Sequence, residues 1–428
     1  MRRYVVIVAL LALALSAGTK AGAQEARTIT LAKALELAKA NQPDTKVSRG
    51  AAIGAHASAD QVRAARSPSL SADASYAAAG SSKGASKASD PSQSVAVGLK
   101  AGWLLWDFGV TSARIAGADA SASAADANAT KAELDLALSV RSSYFAARAA
   151  KALVEVAKAD VANEEKHVQQ IEAFVEVGRR PEIDKYQART QLANARVTLI
   201  QRENDYDVAR SQLARAMGDP THADFEIGDE MMPAVEGEDG SDDALYTQAI
   251  RSRPDLVALE DSRRASQAEL DGAHGAYLPS LSASASLGST LFATKDPDDP
   301  YWGWNAGLVL SWDIFDGGAR AAVIRGAEAD VMVADARRES LSQDIRVELR
   351  QARLAVRAAK ASRLAAQEVE TNAKKQLELA EGRYNEGVGN AIELGDAQVA
   401  MSEASAQVVS ADYNLATARA QLLHALGL

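Results

Sequence analysis

The chain has no cysteine at any of its 428 positions. An exported protein could draw on disulfides, so a cysteine-free one must take its stability from packing or assembly. The same absence leaves no N-terminal cysteine to acylate, and no lipid anchor of that kind is expected. Aromatic residues are scarce, at 5%, while alanine is abundant. That balance suits thin, closely packed helices better than a bulky globular core. Beyond the N-terminus no stretch approaches the ~20 consecutive apolar residues of a membrane-spanning helix, so any contact with a bilayer must be made by strands. The formal charge of −10 comes without a dense basic run, which argues against nucleic acid as a partner.

Catalytic signals are equally thin. The five histidines (His56, His167, His222, His274, His424) are scattered and form no H-E-x-x-H pair. "EEKH", Glu164 to His167, is a lone Glu-x-x-His. A di-iron bundle needs two such motifs and further glutamates, so the segment reads as a solvated helix face. "GSSKG", Gly80 to Gly84, matches G-x-S-x-G only literally, because no helix follows to make a nucleophile elbow. No phosphate-binding glycine loop is present. The sequence therefore predicts no enzyme, no cofactor and no bound metal.

What is present begins with a targeting segment. Arg2 and Arg3 precede an apolar run from Tyr4 to Leu15, and "AGA", Ala21 to Ala23, offers a small-x-small cleavage site. Residues 1–23 read as a signal peptide, with the mature chain starting near Gln24. An uncleaved anchor is the alternative, and the run is short for one.

The rest of the chain is a repeat. "QLANARVTLIQRENDYDVARSQLARAMG" ends at Gly218 and "SEASAQVVSADYNLATARAQLLHALG" at Gly427, an offset of 209. The same offset maps Trp103 to Trp312, Asp107 to Asp316 and Gly178 to Gly387. Upstream the offset becomes 211, relating Pro43-Asp44 to Pro254-Asp255. Two structural copies follow, 24–218 and 244–428, joined by 219–243. That joint lacks lysine and arginine and contains two prolines, so it reads as a solvated linker.

Within each copy, proline and glycine mark the element ends. No proline lies between Asp107 and Gly178, and none from Asp316 to the chain end. Helices of roughly 100 Å are implied at ~1.5 Å per residue, far beyond the usual dozen residues. Such length predicts a coiled-coil assembly. Each long helix reaches a glycine turn, "EVGRRPEID" or "NEGVGNAIE", after which a second helix returns antiparallel. Before each long helix stands a strand of strict period two. In the second copy Trp302, Trp304, Ala306, Leu308, Leu310 and Trp312 share one side, opposite Gly303, Asn305, Gly307, Val309 and Ser311. In the first, Val95, Val97, Leu99, Ala101 and Trp103 do the same. Each follows a weaker strand, "LSADASYA" or "LSASASLG", giving two hairpins per copy pair and four strands per chain. An apolar face opposite a small, polar one, with Trp103, Trp302, Trp304 and Trp312 near strand ends, is the pattern of a membrane barrel with an aromatic girdle. Ordinary sheet packing is the alternative. Four strands fall below the smallest single-chain barrel and would leave open edges in lipid, so several chains must share one barrel.

These motifs resemble the TolC family of outer-membrane efflux proteins. The likeness rests on "PSLSA" before each first strand, on "WDIFDGG" and on "YNEGVGNAIELGDAQVAMSEA", and it covers Thr30 to Leu428. The fold class it implies is a mixed α and β membrane protein, with a long antiparallel α-helical coiled-coil tunnel. Four transmembrane β-strands per chain form a shared twelve-stranded barrel in a homotrimer. It further implies a passive duct of a tripartite efflux or type I secretion system, partnered by a periplasmic adaptor protein, an inner-membrane pump and outer-membrane lipid. The helix turns Gly178, Arg179, Arg180 and Gly387, Val388, Gly389 become adaptor-facing tips. Asp184, Glu393 and Asp396 map onto acidic positions at a closed tunnel entrance, and Tyr384 onto a tyrosine that tethers it. Glu393 and Asp396 lie at i, i+3 on one helix face. The bland reading of these acids is that they offset a helix macrodipole in its first turn. The family's tip arginine falls on Gly389, so its arginine-carboxylate link would have to come from Arg179 or Arg180. A coiled-coil structural or adhesive trimer is the competing function. It would cluster its strands at one terminus, whereas these hairpins lie far apart with helices between.

Overall fold

The computed structural model describes residues 27–79, 92–221, 224–292 and 301–428. The signal peptide reading, the "GSSKG" match and His222 lie outside these residues. In chain order the elements are β1 (Arg27–Ile29), α1 (Leu31–Asn41), α2 (Pro43–Arg63), β2 (Ser69–Ala79), β3 (Ser92–Trp106), α3 (Val110–Glu176) and α4 (Glu182–Ala216). There follow β4 (Phe225–Ile227), α5 (Asp242–Ser252), α6 (Pro254–Gly275), β5 (Ser280–Phe292), β6 (Tyr301–Ser311), α7 (Ala319–Asn385) and α8 (Ala391–Ala425). The repeat is visible in the lengths: α3 and α7 each have 67 residues, and α4 and α8 each have 35. Among the described residues no helix is long and apolar enough to cross a membrane.

The long helices bury a narrow seam of small residues at heptad spacing. Along α7 the buried positions include Ile345, Ala352, Ala359, Ala366, Ala373 and Ala380, and along α8 Ala397, Ala404, Ala411, Ala418 and Ala425. A sustained interval of seven keeps one seam against a partner helix, and alanine lets the axes approach closely. This is why so alanine-rich a chain can be well packed with so few aromatics.

The chain divides into two compact units that cut across both sequence copies. The first holds the residues up to Gln42, Ser139–Pro233 and Ala358–Ala420. It contains the parallel pair of β1 and β4, with Ile29 opposite Ile227. The Tyr144 hydroxyl lies 3.2 Å from the Gly228 carbonyl, and Lys151 donates to the Ile227 carbonyl at 2.8 Å. Here the reading of 219–243 as a solvated linker is corrected. Phe225, Ile227 and Met232 are buried, and Arg419 donates to the Met232 carbonyl at 2.8 Å. Most of its acidic residues face water, but Glu238 is buried and accepts from the Val235 amide at 2.9 Å, and of its apolar residues Met231 stays exposed. Gly218 (φ +78°) closes α4 so near the α1–α2 junction that a Cβ would lie 2.8 Å from the Gln42 nitrogen, so only glycine fits.

The second unit holds Pro43–Leu138, Ala234–Arg357 and Gln421–Leu428. Its centre is an antiparallel sheet in the order β2-β3-β5-β6, leaving β2 and β6 as edges. Register sets the faces. Ala101 pairs with Leu70 and with Ala285, and Ala285 with Ala306. Leu99 pairs with Leu287, and Leu287 with Trp304. One face is therefore apolar on all four strands, apart from Gln93 and Ser289. The other carries serine, glycine, Asn305 and a Lys100–Asp73 ion pair at 3.2 Å. The two expected strand faces are as the alternation predicts.

Candidate functional site

The helix turns that the sequence singles out lie together in the first unit. α3 and α7 end in the same left-handed glycine closure, Gly178 at φ +72° and Gly387 at φ +77°. The Gly387 and Val388 amides return to the carbonyls of Tyr384 and Arg383 at 3.1 and 3.0 Å, which satisfies groups a helix end leaves open. A Cβ on Gly387 would meet nothing within 4 Å. Its requirement for glycine is purely conformational. Gly387→Val should therefore strain the turn by about 1–2 kcal/mol without disturbing the packed core. Denaturant unfolding followed by circular dichroism should show a stability loss of that size with the helix content kept, and equal stability would mean that the turn tolerates a β-branched residue.

Arg180 fastens one turn to the other. Its guanidinium donates to the Gly389 carbonyl at 3.1 Å and lies 4.4 Å from the centre of the Tyr384 ring. Gly389 is the repeat equivalent of Arg180, so a single arginine spans two equivalent corners. Arg179, next to it, is exposed, as are Gly178 and Val388. Tyr384 itself is 1% exposed and belongs to a core of Val168, Ile171, Ala188, Leu394 and Ala397. It is held by its ring and its backbone, because its hydroxyl finds no partner among the described residues. Burial pushes its pKa up, opposed by Arg180 and assisted by Asp184.

The acidic residues separate into two settings. Asp184 and Asp396 line one cleft of about 510 Å³, together with His167, Gln187, Gln191 and Thr190. Asp184 is buried, whereas Asp396 is exposed. Glu393 does not line this cleft. It stands in the first turn of α8, where its amide donates to Asn390 Oδ1 at 2.7 Å and its carboxylate meets Arg383 at 3.0 Å. That is a helix-capping environment, and it leaves Glu393 partly exposed.

Glu164 and His167 are the clearest departure from the sequence reading. They were expected on a solvated face and are buried instead, at 5% and 4% exposure. Glu164 occupies the heptad seam between Ala157 and Ile171, so the period that packs α3 also buries a carboxyl. Burial, and then Asp160, push its pKa up to about 7, and Glu164 Oε2 has no partner among the described residues. Burial lowers the His167 pKa. No group of three or more metal-ligating side chains occurs among the described residues.

In the second unit the tryptophans lie on the apolar sheet face or beside it. Trp302 and Trp304 are exposed at the start of β6. Trp103 and Trp312 stand at the opposite end, where the two copies make equivalent bonds. The Trp103 indole donates to the Arg66 carbonyl at 2.8 Å and that of Trp312 to Tyr277 at 3.1 Å. Asp107 and Asp316 then start the long helices, accepting from the Thr111 amide at 2.6 Å and the Arg320 amide at 2.9 Å. Trp106 was missed in the sequence. A bulge between Leu104 and Trp106 brings Trp106 opposite Leu281, onto the apolar face that simple alternation would deny it.

The family described as "Outer membrane efflux protein" matches residues 34–219 and 245–428. The solvent efflux pump outer membrane protein SrpC of Pseudomonas putida is 28% identical over 295 residues, which span 67% of this chain and 61% of that relative. The outer-membrane channel OprN is similar in structure, with a TM-score of 0.78 at 23% identity, over 93% of this chain and 89% of OprN. The outer membrane protein VceC from Vibrio cholerae gives a TM-score of 0.79 at 20% identity, over 93% and 96% of the two chains. At such identities the structural likeness shows the fold, and the match over both copies shows the family. The chain belongs to the outer membrane efflux protein family, in the outer membrane that gives the family its name.

Proposed function

We propose that this chain is the passive outer-membrane duct of a tripartite efflux or type I secretion system, assembled as a homotrimer. The observation that carries the reading is the four-stranded sheet with one continuous apolar face and two open edges. Open edges are not tolerated in lipid, so β2 of one copy must pair with β6 of the next. Three copies close twelve strands, a normal barrel size. From Trp302 to Trp312 the chain runs about 34 Å at ~3.4 Å per residue. At a tilt of ~40° this spans about 25 Å along the axis, the height of a barrel's apolar band. The Trp residues at its two ends are then the interfacial girdle, in contact with outer-membrane lipid. The Lys100–Asp73 face lines the pore.

On this reading residues 1–23 are removed, 24–218 and 244–428 are the two structural copies, and 219–243 connects them. The duct performs no catalysis of its own. A periplasmic adaptor docks at the tips Gly178 to Arg180 and Gly387 to Gly389, and an inner-membrane pump supplies the energy. Asp184, Tyr384, Glu393 and Asp396 form the entrance, where threefold repetition places carboxylates around a constriction favourable to cations.

Sedimentation of the detergent-solubilised protein, followed by bilayer recording of the same sample, tests this. A trimer that conducts, with cation preference weakened in the double variant Glu393→Ala/Asp396→Ala, is the expected result. A stable monomer retaining its strand content would overturn the shared barrel. Unchanged selectivity would return the two acids to the role of helix-start residues.

A further inference from the structure

The apolar sheet face is not uniform, and among the described residues it is recessed at the first strand–helix junction. Two concavities of the second unit meet there. One is a shallow groove of about 510 Å³ on the apolar face, floored by Ala101, Ala283, Ala285 and Ala306 and bounded by Trp103 and Leu308. It exists because the register aligns alanines across three strands, Ala101 with Ala285 with Ala306. The other is a cleft of about 600 Å³ at the end of β3, lined by Arg66, Trp103, Trp106, Asp107, Phe108 and Ser112. Trp103 lines both, so groove and cleft lie on either side of one indole.

The chemistry changes along this path. The groove is mainly apolar, its alanines interleaved with Gly102, Ser284 and Gly307. The cleft holds one cation and one anion. Arg66 is exposed and bonds the Ser112 hydroxyl, and among the described residues no carboxylate pairs with it. Asp107 accepts from the Gly109 and Thr111 amides at 3.2 and 2.6 Å and from the Thr111 hydroxyl, with Arg114 nearby, which leaves a carboxylate lone pair for one further donor. The rings of Trp106 and Phe108 stand edge to face beside it, 6.0 Å apart. The second copy has closed the same corner. Tyr277 takes the place of Arg66, and Arg320 lies 4.9 Å over its ring while bound to Asp316 at 2.8 Å. Only the first junction offers an unneutralised arginine beside an apolar groove.

We infer that this recess binds one zwitterionic phospholipid per chain. Its phosphate meets Arg66, its ammonium meets Asp107 and the Trp106 and Phe108 rings, and one acyl chain lies in the alanine groove. Guanidinium-to-phosphate bonding is charge-assisted and geometrically specific, and an ammonium gains from aromatic faces as well as from a carboxylate. This site rests on the reading that the apolar face meets lipid, and it adds a defined position where that reading requires only bulk solvent.

The test places the assembled protein in nanodiscs of equal phosphatidylethanolamine and phosphatidylglycerol, then counts lipids retained after detergent stripping by native mass spectrometry. One phosphatidylethanolamine per chain is expected. Retention should fall about tenfold in Arg66→Ala, the worth of one charge-assisted bond, and similarly in Ala285→Trp, which fills the groove. Arg66→Lys should recover part of it, and Arg320→Ala at the closed corner should change nothing. Equal retention in Arg66→Ala and Arg66→Lys, no stoichiometric lipid on the wild-type assembly, or indifference between the two headgroups would each overturn the site. Failure of the wild-type chain to insert would instead refute the membrane reading beneath it.

Discussion

Replacing Arg253 with alanine should lower the unfolding free energy of the chain by about 3 kcal/mol, the low end of the cost of breaking a buried ion pair. Arg253 is 7% exposed and joins three parts of the second unit. Its guanidinium holds Asp255 at 2.6 Å, Glu348 of α7 at 2.5 Å and the Ala425 carbonyl at the end of α8 at 3.2 Å. Without it, two carboxylates and a helix-end carbonyl lose their common donor. The low end applies because Glu348 is partly exposed and keeps a second partner. His424 Nδ1 lies 3.5 Å from Glu348, and His424 Nε2 lies 2.7 Å from Asp135. Those hydrogen bonds, Glu348 first, outweigh burial and raise the His424 pKa above its ordinary 6.5. The stabilisation from charged His424 is thus complete below that ordinary value and is lost as pH rises through the raised one. The Arg253→Ala deficit should consequently be larger at about pH 8 than at about pH 6, where the imidazolium still neutralises Glu348. Denaturant unfolding followed by circular dichroism at the two pH values measures it. Equal stability of variant and wild type would mean that the clasp is incidental.

Glu164→Gln should act in the opposite direction and stabilise the chain at neutral pH. A carboxyl whose pKa is raised to about 7 by burial and by Asp160 makes the folded state prefer the proton. Below the unfolded value of 4.5 this costs nothing. The penalty grows as pH rises between the two values and is complete above the folded one. At about 1.4 kcal/mol per tenfold, it is on the order of 3 kcal/mol. Glutamine keeps the shape and cannot ionise. Thermal unfolding across this range should show the wild type losing more stability with rising pH than the variant, by up to that amount. A variant with the wild-type slope would place the titrating group elsewhere.

Some of this was legible without coordinates. The period-two alternation of Val95 to Trp103 and Trp302 to Trp312 marked both the strands and their apolar face. The proline-free runs after Asp107 and Asp316 marked the long helices, and a constant offset marked the duplication. In each case neighbours along the chain decide the outcome, because backbone geometry converts local spacing directly into a face or a helix. Tertiary structure decided the rest. Three-residue strands such as Arg27–Ile29 and Phe225–Ile227 carry no period of their own, and only their parallel pairing shows that the acidic segment is partly packed. Glu164 and His167 looked solvated because they are polar, yet the seam of α3 buries whatever occupies its heptad positions. The bulge at Leu105 returned Trp106 to the apolar face, and Arg180 found Gly389 across a full repeat. Periodicity assigns a residue to an element and a side. Which distant groups then share that side, and whether a polar group there finds a partner, depends on contacts that only the folded chain creates.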